Sequence, residues 1–174
     1  ALEGYVGIAN EGYWGIPVKK GQEFDLSLYA MTPDGINRSL IVLLEAPDER
    51  VLAQAIVDTL RPEWRQFKVT MAGLDDCPNA RLVIRATEPG VIFLDVVSLF
   101  PKKTFKARSN GMRQDLAGML NELKPSFVRF PGGCWVEGDN LGLSYRWKQT
   151  IGDVADRRTQ YNIWQYWSTN GLGY

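Results

Sequence analysis

In the first hundred residues apolar side chains recur at every second position. Phe24, Leu26, Leu28 and Ala30 enclose Asp25, Ser27 and Tyr29; Phe67, Val69 and Met71 enclose Lys68 and Thr70; Leu82, Ile84 and Ala86 enclose Val83 and Arg85. A period of two sends alternate side chains to opposite faces of an extended chain, so each run predicts a strand with one buried face. Further apolar runs at 39–44, 51–57 and 91–100 are set apart by Thr32-Pro33-Asp34-Gly35, Ala46-Pro47-Asp48 and Glu88-Pro89-Gly90, which are turn signals. Roughly seven or eight strands at this spacing predict a jelly-roll β-sandwich over residues 1–100. The alternation puts Leu26, Leu28, Val69, Leu82 and Ile84 in its core.

Residues 101–110 carry Lys102, Lys103, Lys106 and Arg108 with little apolar content, and read as a solvated connector at a domain boundary. After it the periodicity changes. Leu116, Met119, Leu120 and Leu123 recur at i, i+3, i+4 and i+7 ahead of Pro125, which predicts a helix over 112–123. The apolar run 127–130 predicts a buried strand, ended by Pro131-Gly132-Gly133. Helix, loop and buried strand form the repeating unit of a parallel α/β fold, where the loop after the strand carries chemistry. One such unit cannot close a barrel, so 111–174 reads as part of a larger α/β domain.

The composition narrows the chemistry. Lysine plus arginine equals aspartate plus glutamate at 20 each, and no basic run interleaves with aromatics, so nucleic acid is not an expected partner. No apolar run reaches the length of a membrane span, and the chain is expected to begin after any signal peptide. The chain contains no histidine, which removes the usual general base and every Ser-His or Cys-His nucleophile pair, so catalysis would fall to carboxylates. Cys77 and Cys134 are the two thiols, and nothing in their spacing supports a disulfide.

From Asn110 onward the chain resembles the α-L-arabinofuranosidases of glycoside hydrolase family 51 in their plant and bacterial form. The resemblance rests on Asp115-Leu116, Leu123-Lys124-Pro125, Phe127-Val128-Arg129-Phe130-Pro131-Gly132-Gly133-Cys134, Val136-Glu137-Gly138, Tyr145-Arg146-Trp147-Lys148, Thr150-Ile151-Gly152, and Tyr166-Trp167 followed by Gly171-Leu172-Gly173-Tyr174. The first hundred residues are similar to that family's inserted sandwich and to carbohydrate-binding modules, through Asn10 to Gly15, Pro78-Asn79-Ala80-Arg81-Leu82 and Asp95 to Pro101. The resemblance implies retaining hydrolysis of terminal arabinofuranosyl groups on plant polysaccharides by a (β/α)8 barrel. It also implies that both catalytic glutamates lie outside these residues, so that the chain is an internal piece with no catalytic residue of its own. The expected partners are an arabinose-containing polysaccharide and either the rest of the barrel or a partner chain; the expected location is secreted or periplasmic.

The same resemblance puts Arg129, Gly132, Gly133, Cys134 and Trp135 at the substrate. Arg129 inside an apolar strand would need a carboxylate or carbonyl partner, either beneath the catalytic carboxylates or in a structural ion pair. Cys134 would contact sugar or pack as a small buried thiol. Trp135, Trp147, Trp164 and Trp167 would stack on sugar rings or pack on the barrel. Glu137 and Asp139 mimic a catalytic pair in spacing, against a solvated role beside Arg146. Tyr13 and Trp14 alternate, which predicts one ring in the core and one exposed. No cofactor is expected beyond a structural Ca²⁺ in the sandwich, for which Asp95 is the candidate ligand.

Overall fold

The computed structural model describes residues 6–130, 132–165 and 167–168. The chain divides into two compact units, Ala1–Glu122 and Leu123–Tyr174. The division falls after the helix, so the basic 101–110 stretch belongs to the first unit.

Eight strands build the first unit: β1 (Gly7–Asn10), β2 (Ile16–Val18), β3 (Glu23–Met31), β4 (Leu40–Glu45), β5 (Val51–Val57), β6 (Arg65–Ala72), β7 (Cys77–Ala86) and β8 (Phe93–Pro101). They form two antiparallel sheets. In one the order is β1-β7-β4-β5, with β2 pairing β7 beyond the end of β1; in the other it is β6-β3-β8. The register pairs Leu26 with Val69 and Leu99, and Val42 with Ile84, so the inward positions of both sheets meet in one core. Leu26, Leu28, Leu82 and Ile84 are buried and Val69 is half-buried on the outer of the three strands, as the alternation predicts. Each fully buried leucine contributes about 1.5–3 kcal/mol by leaving water. The predicted sandwich is thus the observed one.

Two buried charge clusters hold its ends. Arg38 donates to both oxygens of Asp34 at 2.5 and 2.7 Å, to the Thr32 hydroxyl at 3.0 Å and to the Pro89 carbonyl at 3.0 Å, tying the Thr32-Pro33-Asp34-Gly35 turn to the loop after β7. The Arg38 guanidinium, followed by the Thr32 hydroxyl, holds the Asp34 carboxyl well below the usual carboxylate range. On the outer face of β4, Glu45 is fully buried between Arg81, at 3.2 Å, and Arg85.

The stretch after β8 is more ordered than a plain connector. Thr104 is buried and bridges Arg113, and a single 3₁₀ turn spans Phe105–Ala107. Helix α1 (Gln114–Glu122) follows, inside the predicted 112–123. Asp115 sits in its first turn, where a carboxylate complements the helix dipole, and Arg113 bonds it at 2.6 and 3.1 Å. Lys124 then takes a left-handed φ of 45° ahead of Pro125, and the helix stops.

Two expectations for this segment are corrected. The buried strand at 127–130 does not form; these residues carry no strand assignment, and Phe127 and Val128 are 81% and 78% exposed. Leu116, Met119, Leu120 and Leu123, expected to pack on that strand, are each more than half exposed, and Ala117 is the buried residue of α1. A parallel strand takes its hydrogen bonds from strands on both sides and is covered by helices on both faces. Neighbours of that kind are absent among the described residues, so the sequence signal for a barrel strand is present without its partners.

Candidate functional site

The second unit holds the residues singled out for substrate. Pro131 lies outside the described residues, as do Tyr166 and residues 171–174 of the family motif. Helix α2 (Cys134–Glu137) is a single turn, with the Val136 and Glu137 amides donating to the Gly133 carbonyl at 2.9 and 3.2 Å. It ends at Gly138, whose φ is +65° and where an added Cβ would lie 2.5 Å from the Leu143 carbonyl oxygen. The loop is thereby folded back on itself, and the Tyr145 amide closes it by donating to the Val136 carbonyl.

Arg129 is exposed, not buried as an arginine inside a barrel strand would be. Its guanidinium lies over Gly132, where an added Cβ would stand 2.8 Å from Nε and 3.0 Å from Nη2. The absence of a side chain at Gly132 is what allows this approach. Arg129 and Gly132 are therefore brought together. Cys134 opens α2 with an exposed thiol. Trp135, one residue on, turns inward and is half-buried, with its ring 5.6 Å from Trp164 and 6.3 Å from Tyr145. Cys77 is a buried free thiol in the other unit.

The other candidates separate. Trp147, Trp164 and Trp167 are 49%, 54% and 68% exposed; Trp167 meets Tyr161 edge-on at 5.3 Å across the hairpin of β9 (Gln160–Tyr161) and β10 (Trp167–Ser168). Glu137 and Asp139 are both exposed, and among the described residues no ion pair joins either to Arg146, which donates instead to the Leu141 carbonyl at 3.2 Å. Tyr13 and Trp14 are both exposed, at 87% and 86%, with ring centroids 4.8 Å apart. The expectation of one core ring fails because the pair sits in the turn between β1 and β2, where strand alternation does not operate. Asp95 is exposed on β8, and its carboxylate accepts from the Val96 amide at 2.7 Å. Among the described residues no group of three or more Cys, Asp or Glu side chains is arranged to hold a metal ion.

One organising residue escaped the sequence reading. Thr150 is buried, donates to the Trp147 carbonyl at 2.7 Å and shares a hydrogen bond with the Tyr145 hydroxyl at 3.0 Å. No periodicity marks it; the Tyr145-Arg146-Trp147-Lys148 and Thr150-Ile151-Gly152 motifs were its signal. Beside it, a cleft lined by Trp135, Tyr145, Gln160, Tyr161 and Asn162 has a volume of about 10 Å³, whereas ligand pockets run to several hundred. Among its described residues the second unit thus presents an arginine on a glycine-lined turn and an aromatic cluster around a narrow cleft.

Comparison with known proteins agrees with the motifs. Residues 119–174 match the family model described as the α-L-arabinofuranosidase 1 domain. The chain is 34% identical to α-L-arabinofuranosidase 1 of Arabidopsis thaliana over 98% of its length, which is 25% of that relative. It is 35% identical to an extracellular exo-α-L-arabinofuranosidase of Streptomyces chartreusis, over 96% of this chain and 21% of the relative. A solved arabinose-bound family 51 α-L-arabinofuranosidase superimposes with a TM-score of 0.84 at 34% identity, covering 98% of this chain and 29% of the solved one. The chain therefore spans about a quarter of the length of these relatives.

Proposed function

We propose that this chain, which corresponds end to end to one stretch of the family 51 α-L-arabinofuranosidases, is an internal segment of a retaining hydrolase that removes terminal arabinofuranosyl groups from plant cell-wall polysaccharides. The observation that carries the reading is the continuity of the match, 34% identity across both units, with the ordered motifs from Leu123-Lys124-Pro125 onward falling in the second. Within the segment, Arg129, Gly132, Gly133, Cys134 and Trp135 supply one wall of the substrate site, with Arg129 as the cation that faces the reacting sugar and the catalytic carboxylates. Those carboxylates come from outside these residues. Retention needs two carboxyl groups about 5 to 5.5 Å apart on rigid supports, and Glu137 and Asp139 sit exposed around a single helical turn and its end. The enzyme is secreted or periplasmic, a reading supported by the Streptomyces relative, whose name describes that protein as extracellular.

The test is turnover of an aryl α-L-arabinofuranoside. Activity is expected in the longer protein, lost on Arg129→Ala, and absent from the 174-residue chain. Activity in the 174-residue chain that disappears in Glu137→Gln would move the catalytic centre into this segment and sink the reading.

A second reading, a carbohydrate-binding module without catalytic activity, has the exposed Tyr13 and Trp14 rings in its favour, since paired aromatic faces stack on sugars. Micromolar binding of arabinoxylan by calorimetry, abolished by Trp14→Ala, would promote it.

A further inference from the structure

The sandwich is closed along one side and open along the other. On the closed side β5 packs against β6, joining the margins of the two sheets. On the open side the margin of the larger sheet is β1 and β2, end to end along β7, and the margin of the smaller sheet is β8. Between these margins runs a groove of about 400 Å³ lined by Ile8, Ile16, Leu82, Ile84, Val97 and Leu99. Ile8 and Val97 are 57% and 40% exposed although both lie over buried core residues.

β8 is a long edge strand that turns apolar side chains to the groove. Among the described residues it pairs with β3 alone, leaving its other side free. A bulge at Val96, with a φ of 46°, resets the alternation so that Val97 and Leu99 both point into the groove. Asp95, the bulge and Pro101 are devices that guard an edge, but β8 spans nine residues and still offers Val97 and Leu99 to the groove. The larger sheet has five strands and the smaller three.

We infer that the free edge of β8 takes a fourth strand from elsewhere in the same polypeptide, whose alternate apolar side chains fill the groove between β8 and β1. A free backbone edge selects an extended segment, and the apolar walls select side chains at every second position. The inference rests on the reading of the chain as a segment of a longer protein: about three-quarters of the relatives' length lies outside the stretch they share with it, which is ample to supply one strand.

Hydrogen exchange read by mass spectrometry tests this on the 174-residue chain and on the longer protein. Amides of residues 93–100 are expected to exchange on the order of 100-fold more slowly in the longer protein, as edge amides become ladder amides. Val97→Asp is expected to lower the melting temperature of the longer protein by several degrees and to leave that of the 174-residue chain unchanged. Equal exchange of β8 in both forms overturns the inference while leaving the hydrolase reading intact. Protection in the 174-residue chain that grows with its concentration, with a dimer by light scattering, assigns the groove to a second copy and also overturns it. A gene that encodes no more than these residues removes the hydrolase reading and this inference together.

Discussion

Gly132 and Gly138 flank one helical turn, yet substitution should expose different roles. At Gly132 an added methyl meets the far end of a flexible arginine, which can swing away at little cost to folding. Gly132→Ala is therefore expected to melt like the parent but to lower kcat/KM of the longer enzyme on the order of 100-fold by displacing Arg129, a loss read from aryl arabinofuranoside turnover. At Gly138 the methyl meets backbone, the Leu143 carbonyl, and the φ is left-handed. Gly138→Ala is expected to destabilise the second unit by more than about 1 kcal/mol, seen as a lower urea midpoint by tryptophan fluorescence. In the first unit Glu45 is a fully buried carboxylate that holds the part-exposed guanidinium groups of Arg81 and Arg85 over the sheet. Glu45→Ala should cost about 1–3 kcal/mol in calorimetric unfolding, through its lost charge-assisted hydrogen bonds, more than an exposed carboxylate would. The sequence signalled Gly132 through Pro-Gly-Gly, but Glu45 reads there as the polar end of the run Leu40–Glu45, because only the register with β7 sets Arg81 opposite it.

Helix α1 shows what local signals secure and what they do not. Its start and stop follow from Asp115 in the first turn and Lys124-Pro125 after the last, both legible in sequence. Hydrogen bonds from Arg113, then the Leu116 amide, lower the Asp115 pKa to about 2 from 3.8. A folded-state pKa below the unfolded one means that the stabilisation is full above about pH 4 and is lost as pH falls through 2. Helical Cα chemical shifts across Gln114–Glu122 are therefore expected to fade between pH 4 and 2, with the transition missing in Asp115→Asn. The apolar stripe of α1 had an equally clear signal, yet it faces solvent, since a stripe states that a partner is needed without supplying one. The strand predicted at 127–130 fails for the same reason: a helix satisfies its own backbone, while a strand depends on neighbours.

At the scale of the molecule, among the described residues the first unit carries nearly all of the buried core and the second a single fully buried residue, Thr150. Residues 121–130 are exposed throughout. Brief trypsin treatment of the 174-residue chain is expected to cut after Arg129 first and to leave the sandwich whole, as read by intact mass; Lys124 is shielded by Pro125. Early cleavage inside β3 or β4 would contradict that distribution of burial. By itself the sequence determined the sandwich, its strands and most of its core, because an alternation of period two is a statement about one strand and its own two faces. It also determined the family likeness, since ordered motifs survive without their surroundings. Tertiary structure alone decided that Tyr13 and Trp14 are both exposed, that Arg129 lies on Gly132 instead of inside a strand, that Glu45 is buried between two arginines, and that one side of the sandwich is open. Each of these depends on which segment lies alongside another, and pairing between distant segments is not written in the local pattern of either one.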